Sequence, residues 1–129
     1  MATEDSILMV TATTLYPFVP SGASYPTALA FFAELGFEKT WEHDGYAGLR
    51  FSGAYFILQD ANVPEWQTNQ MIVFEVDDLD AYWRAVDAKD LPSKFSGVKT
   101  RPPTDFPWGR ELHIIDPGGV CWHVCQRKA

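Results

Sequence analysis

The stretch Leu112-His113-Ile114-Ile115-Asp116-Pro117-Gly118-Gly119-Val120-Cys121-Trp122-His123-Val124 restricts the possible folds of this chain more than any other. Leu112 and Ile114, then Val120, Trp122 and Val124, keep an apolar period of two on either side of Asp116-Pro117-Gly118-Gly119. A period of two is a strand with unlike faces, and two such runs around a turn predict a hairpin. Pro117 presets φ for the turn, and the glycines after it accept the positive φ that tight hairpins need. One face of the hairpin is therefore apolar. The other carries Glu111, His113, Cys121, His123 and Cys125. Polar groups gathered on one face suggest the wall of a cup, although a strand with one solvated face gives the same spacing.

Upstream, the pattern reads as two similar halves. Thr13 to Val19 is expected to be the first core strand, closed by Pro20-Ser21-Gly22. Ser24 or Thr27 can cap a helix whose apolar stripe is Ala28, Leu29, Phe31, Phe32 and Leu35, with Gly36 at its end. Three strands follow, Phe37 to Glu42, Tyr46 to Phe51 and Ala54 to Gln59, with Asp44-Gly45 and Ser52-Gly53 as turns. Residues 60 to 69 read as a polar linker. The second half repeats the order: a strand over Met71 to Val76, then a helix capped by Asp77 or Asp78 with Leu79, Tyr82, Trp83 and Val86 on one face. An irregular, proline-rich stretch follows over 89 to 107, with one strand near Phe95 to Thr100, and then the hairpin. The repeat spans about 55 residues and is one of pattern, not of identity. Helices between hairpin-linked strands predict an α+β fold.

Length and composition narrow the function. At 129 residues the chain suits one domain, and 47% hydrophobic content with 15% aromatic is too apolar for disorder. Ten basic against seventeen acidic side chains leave a net charge of −7, which repels nucleic acid and attracts cations. No apolar run approaches the roughly 20 residues of a membrane span. The acidic start, Met1 to Ser6, does not read as a secretory signal. Cys121 and Cys125 stand four apart on one strand, about 13 Å between Cα atoms, beyond the roughly 7 Å reach of a disulfide. Both are expected to be reduced thiols in a cytoplasmic protein.

Several segments together carry a family resemblance. Leu35-Gly36-Phe37-Glu38-Lys39 with Trp41, Asp44, Tyr46, Ala47-Gly48 and Arg50, then Asn69, Val76 and Leu79-Asp80, and finally Pro107-Trp108-Gly109-Arg110-Glu111, Asp116-Pro117-x-Gly119 and His123 stand in order along the chain. In that order they resemble the bleomycin-resistance proteins of the vicinal-oxygen-chelate (glyoxalase-like) superfamily. The resemblance implies two βαβββ modules, about 13–60 and 70–129, forming a cup-shaped mixed sheet within a single domain of residues 13–129. Residues 1–12 would be a tail or a strand exchanged between subunits, with Pro17 near the hinge. It also implies a homodimer that sequesters a small, planar, cationic glycopeptide antibiotic in crevices at its interface, without catalysis. Carried over position by position, Trp41, Tyr46 and Trp108 would be aromatic plates. Gln59, Asn69 and Arg110 would be polar contacts or supports, and His113 and His123 would line the cup.

Enzymes of the superfamily hold a divalent ion, and the matching positions here fall near Pro17, Leu58 or Gln59, Met71 and His123. Only His123 is a good ligand, so no metal, cofactor or catalytic residue is assigned. The two sulfurs of the run Cys121-x-His123-x-Cys125 cannot readily both reach within about 2.3 Å of one zinc in an extended strand, where even neighbours on one face are about 6.6 Å apart. His113 and His123 together can bind a metal or a carboxylate, or simply hydrogen-bond within the wall. The competing readings are a metal-dependent lyase, isomerase or dioxygenase of the same superfamily, using Glu111, His113 and His123, or a member that binds some other small molecule.

Overall fold

In the computed structural model, residues 7–127 are described. The two halves build two four-stranded mixed sheets of the same plan. The first contains β1 (Phe18–Pro20), β2 (Glu38–His43), β3 (Tyr46–Phe51) and β4 (Ala54–Gln59), in the order β1-β4-β3-β2. The second contains β5 (Met71–Glu75), β6 (Lys99–Phe106), β7 (Gly109–Ile115) and β8 (Cys121–Arg127), in the order β5-β8-β7-β6. In each sheet the first strand runs parallel to the fourth, and the other pairs are antiparallel. This is the duplicated βαβββ plan of an α+β fold.

Local chemistry explains the boundaries. Helix α1 (Tyr25–Glu34) starts where the Ser24 hydroxyl accepts from Thr27 N, and it stops before Gly36 at φ 105°. Asp44 and Gly45, at φ 49° and 81°, form the tight turn between β2 and β3. Helix α3 (Leu79–Ala88) is capped by the Asp78 carboxylate, which accepts from Ala81 N. The helices cover one face of each sheet, and the buried side chains form a shared core. Phe32 and Phe56 of the first module meet Trp122 of the second at 5.2 and 5.0 Å between ring centroids.

Three expectations need correction. The strand expected over Thr13–Val19 is only Phe18–Pro20: Pro17 accepts from Ile57 N but has no N–H to carry the ladder further back. Within residues 1–12, expected as a tail or an exchanged strand, Ile7–Met9 form a helical turn, with Val10 N donating to Ile7 O. Residues 1–6 of that tail lie outside the described residues. The linker contains a short helix α2 (Pro64–Gln67), whose buried Gln67 donates to Asn62 Oδ1 and to Gly118 O across the two modules. The proline-rich stretch holds a helix α4 (Leu91–Lys94) and the eight-residue strand β6, not a strand near Phe95–Thr100. Pro102 and Pro103 sit at a register shift on the edge strand, the one place in a sheet that tolerates missing N–H groups.

Candidate functional site

Period-two alternation sorts each sheet into a core face and an open face. On β7 and β8, Leu112, Ile114, Trp122 and Val124 are fully buried in the core, while Glu111, His113, Cys121 and His123 point the other way. The turn is locked from below. Asp116 accepts from Gly118 N, Val120 N and Trp122 Nε1, all at 2.9–3.0 Å. Burial nevertheless pushes the Asp116 carboxyl up to about 6, outweighing those donors.

Antiparallel register sets His113 directly opposite His123, so their rings meet edge to face at 4.4 Å between centroids. Glu111, only 7% exposed, joins them. Its Oε1 lies 2.7 Å from His113 Nε2 and 2.5 Å from His123 Nδ1. Its Oε2 accepts from Trp108 Nε1 at 2.9 Å. Burial alone would raise the Glu111 carboxyl, but the Trp108, His123 and His113 donors hold it down at about 2. His123 Nε2 faces Cys121 Sγ at 3.6 Å. Burial and the negative charges of Glu111 and Asp116 push the Cys121 thiol up.

Above this cluster Trp108 stacks on Phe106, centroids 4.9 Å apart and planes 7° from parallel, and stays 58% exposed. It sits in the turn between β6 and β7, braced by Phe106 and pinned by Glu111.

The first sheet presents a second aromatic group. On β3, Ala47 and Leu49 enter the core, which turns Tyr46, Gly48 and Arg50 to the open face. Trp41 pairs with Gly48 and lies across it, and its Nε1 donates to Tyr55 OH at 2.6 Å. A Cβ at Gly48 would sit 2.1 Å from Trp41 Nε1 and 2.4 Å from Tyr55 OH. Arg50 rests over the Tyr55 ring at 4.7 Å, and Phe18 meets Tyr46 edge to face at 5.9 Å. Trp41 and Tyr46 remain well exposed. Gln59 lies opposite Tyr46 in the ladder. Gln59 and Asn69 border a shallow cavity of about 380 Å³ with Phe18 and Trp66, and Asn69 Nδ2 is tied to Glu65 O.

The residues singled out from sequence therefore fall into two groups. Trp41, Tyr46, Gln59 and Asn69 belong to the first sheet and its border, and Trp108, His113 and His123 to the β6–β8 region. Arg110 joins neither. It points to the helix side, where it donates to Asp80 of α3 and to Asp105. Phe106 and Tyr55 are central to the geometry but were not singled out from sequence. Glu111 was named there only for the competing metal-dependent reading, on the parity that placed it on the histidine face. A larger groove of about 1100 Å³ runs beside β5, floored by Phe37, Phe51, Phe56, Phe74 and Trp122. Among the described residues no helix is long and apolar enough to cross a membrane.

No family model matches the sequence, and no curated protein does. Solved structures share its fold. A bleomycin-binding protein from bleomycin-producing Streptomyces verticillus, complexed with copper(II)-bleomycin, is 24% identical, with a TM-score of 0.75 over 93% of this chain and 100% of its own. A glyoxalase/bleomycin resistance protein from a Streptomyces species is 20% identical, with a TM-score of 0.66 over 87% and 100%. A fosfomycin resistance protein from Listeria monocytogenes, complexed with Mn(II) and sulfate, is 13% identical, with a TM-score of 0.68 over 92% and 93%.

Proposed function

From the glyoxalase/bleomycin-resistance fold that this chain has, we propose that the protein is a non-catalytic binder that sequesters a planar, cationic small molecule of the bleomycin type. The observation that carries this reading is Trp108. It is a plate fixed on one side by Phe106 and at its nitrogen by Glu111, yet more than half exposed. A pre-oriented indole loses little freedom when a flat ring stacks on it, and such stacking or cation–π contacts are worth about 0.5–2 kcal/mol each. Trp41 and Tyr46 offer further plates on the other sheet. The bleomycin-binding protein of the same fold, solved with copper(II)-bleomycin, supports the ligand class.

Ligand crevices at a homodimer interface complete the proposal. Phe18, Trp41, Met71, Val73 and Trp108 are exposed apolar groups distributed over the open faces of both sheets and their rims, the kind of surface a second copy covers. The test is tryptophan fluorescence during titration with metal-free bleomycin. Saturable quenching that is lost in Trp108→Ala supports the reading. No change up to high micromolar drug overturns it.

A metal-dependent enzyme on the same fold is the second reading. The observation that favours it is the carboxylate of Glu111 set between two imidazoles.

A further inference from the structure

We propose that Glu111, His113 and His123 form a binding site for a borderline divalent transition-metal ion of the zinc type, built entirely from the β7–β8 hairpin. The proposal needs neither functional reading above to hold. The three side chains each offer one donor atom, and these atoms lie within 4.8 Å of one another. Two imidazole nitrogens and one carboxylate oxygen suit Zn²⁺, Co²⁺ or Ni²⁺ and not Mg²⁺ or Ca²⁺, which take oxygen ligands. With bonds of about 2.0–2.1 Å, tetrahedral ligand atoms stand roughly 3.4 Å apart. The present 2.5 and 2.7 Å contacts to Glu111 Oε1 therefore open by under about 1 Å, within reach of side-chain rotation.

The outer contacts strengthen the assignment. Trp108 holds Oε2 of Glu111, leaving Oε1 as the atom facing both rings. Cys121 Sγ lies at Nε2 of His123, on the far side of the ring from Nδ1. Without an ion, both imidazoles donate to Oε1 and the Cys121 thiol donates to Nε2. With an ion, both histidines change tautomer: His113 Nε2 and His123 Nδ1 lose their hydrogens and become the ligands, the hydrogens move to the other ring nitrogens, and His123 Nε2–H donates to Sγ. Such outer partners are what orient histidine and carboxylate ligands in metal sites. His113 and His123 keep about a fifth of their side-chain surface exposed, so a fourth position is accessible. A three-ligand site with an open position can take a nitrogen or oxygen donor from a chelating small molecule.

Protein freed of metal by chelator and dialysis is titrated with Co²⁺, read by visible absorption, and with Zn²⁺, read by calorimetry. One ion per chain is expected, with Mg²⁺ failing to compete. His113→Ala and His123→Ala each weaken binding at least tenfold, while His43→Ala, at the exposed β2–β3 turn, leaves it unchanged. The ring resonances of the unaltered chain give a readout that needs no variant: His113 and His123 shift on adding Zn²⁺ and His43 does not. Absence of saturable binding, or a Zn²⁺-dependent shift confined to His43, overturns the proposal, as does binding that survives loss of both hairpin histidines in a folded variant.

Discussion

Asp116 and Glu111 are both buried carboxylates held by hydrogen-bond donors, but burial wins at Asp116 and the donors win at Glu111. Asp116 is held at about 6, above its unfolded value, so its native form binds a proton that the unfolded chain has already released between about pH 4 and 6. Stability from this residue is thus full below the unfolded value and declines as pH rises through that window. At about 1.4 kcal/mol per unit, the loss approaches 3 kcal/mol. Urea unfolding at half-unit steps should show this decline, and Asp116→Asn should flatten it. Glu111, held down at about 2, acts in a separate window. Its stabilisation is complete above its unfolded value of about 4 and is lost as pH falls towards 2. Gly48 poses a different residue-scale problem, because the space its missing Cβ leaves is filled by the Trp41 indole and the Tyr55 hydroxyl. Both obstacles are side chains on a partly exposed face, but the indole ring must move as a whole, so Gly48→Ala should cost about 1–3 kcal/mol. It should still displace Trp41, visible as a shift of its indole N–H resonance, and weaken ligand quenching.

The hairpin β7–β8 carries the candidate site, and its register is fixed at both ends. Gly119 at φ 96° belongs to the turn, and Gly109 at φ 150° opens β7 against the backbone of Gln126 and Arg127. A Cβ at Gly109 would lie 2.7 Å from Gln126 O, which cannot swing aside as a side chain can. Gly109→Ala should therefore destabilise the protein by about 2–3 kcal/mol, and Gly53→Ala, with nothing within 4 Å of its Cβ, should be near neutral. Thermal unfolding of the two variants side by side checks this. The same elements show what was legible in the sequence. Strands β3 and β4 have the bounds expected from alternation and turn residues, because those signals are local. Strand β6 was obscured by Pro102 and Pro103, whose tolerance depends on edge position, a property of the sheet and not of the segment. Parity placed Glu111 with His113 and Arg110 with Leu112, so the wall of the site was readable. That one carboxylate oxygen reaches both rings was not, since it depends on the His113–His123 pairing across the turn and on side-chain rotamers. Likewise Trp108 could be placed in a loop, but its stack on Phe106 required the β6–β7 register.

At the scale of the whole molecule, charge and shape act together on any cationic ligand. The net charge of −7 leaves the surface acidic overall: Arg110 is spent on Asp80 and Asp105 and Arg127 on Glu75, while Arg50 stands as a cation on the open face of the first sheet, over Tyr55. The potential of such a surface draws a cation from a distance, while the aromatic plates decide how long it stays. These contributions separate with ionic strength, because screening shortens the Debye length from about 30 Å at 0.01 M salt to about 10 Å at 0.1 M. Stacking on Trp108 is a contact interaction and is little screened. Stopped-flow fluorescence with a flat cationic ligand should therefore show an association rate falling about tenfold across that range, with the dissociation rate changing much less. Trp108→Ala should do the reverse, speeding dissociation and leaving the salt dependence of association intact. A ligand whose association ignored salt, or which bound equally well as its anionic analogue, would show that the acidity of this chain serves solubility and not capture.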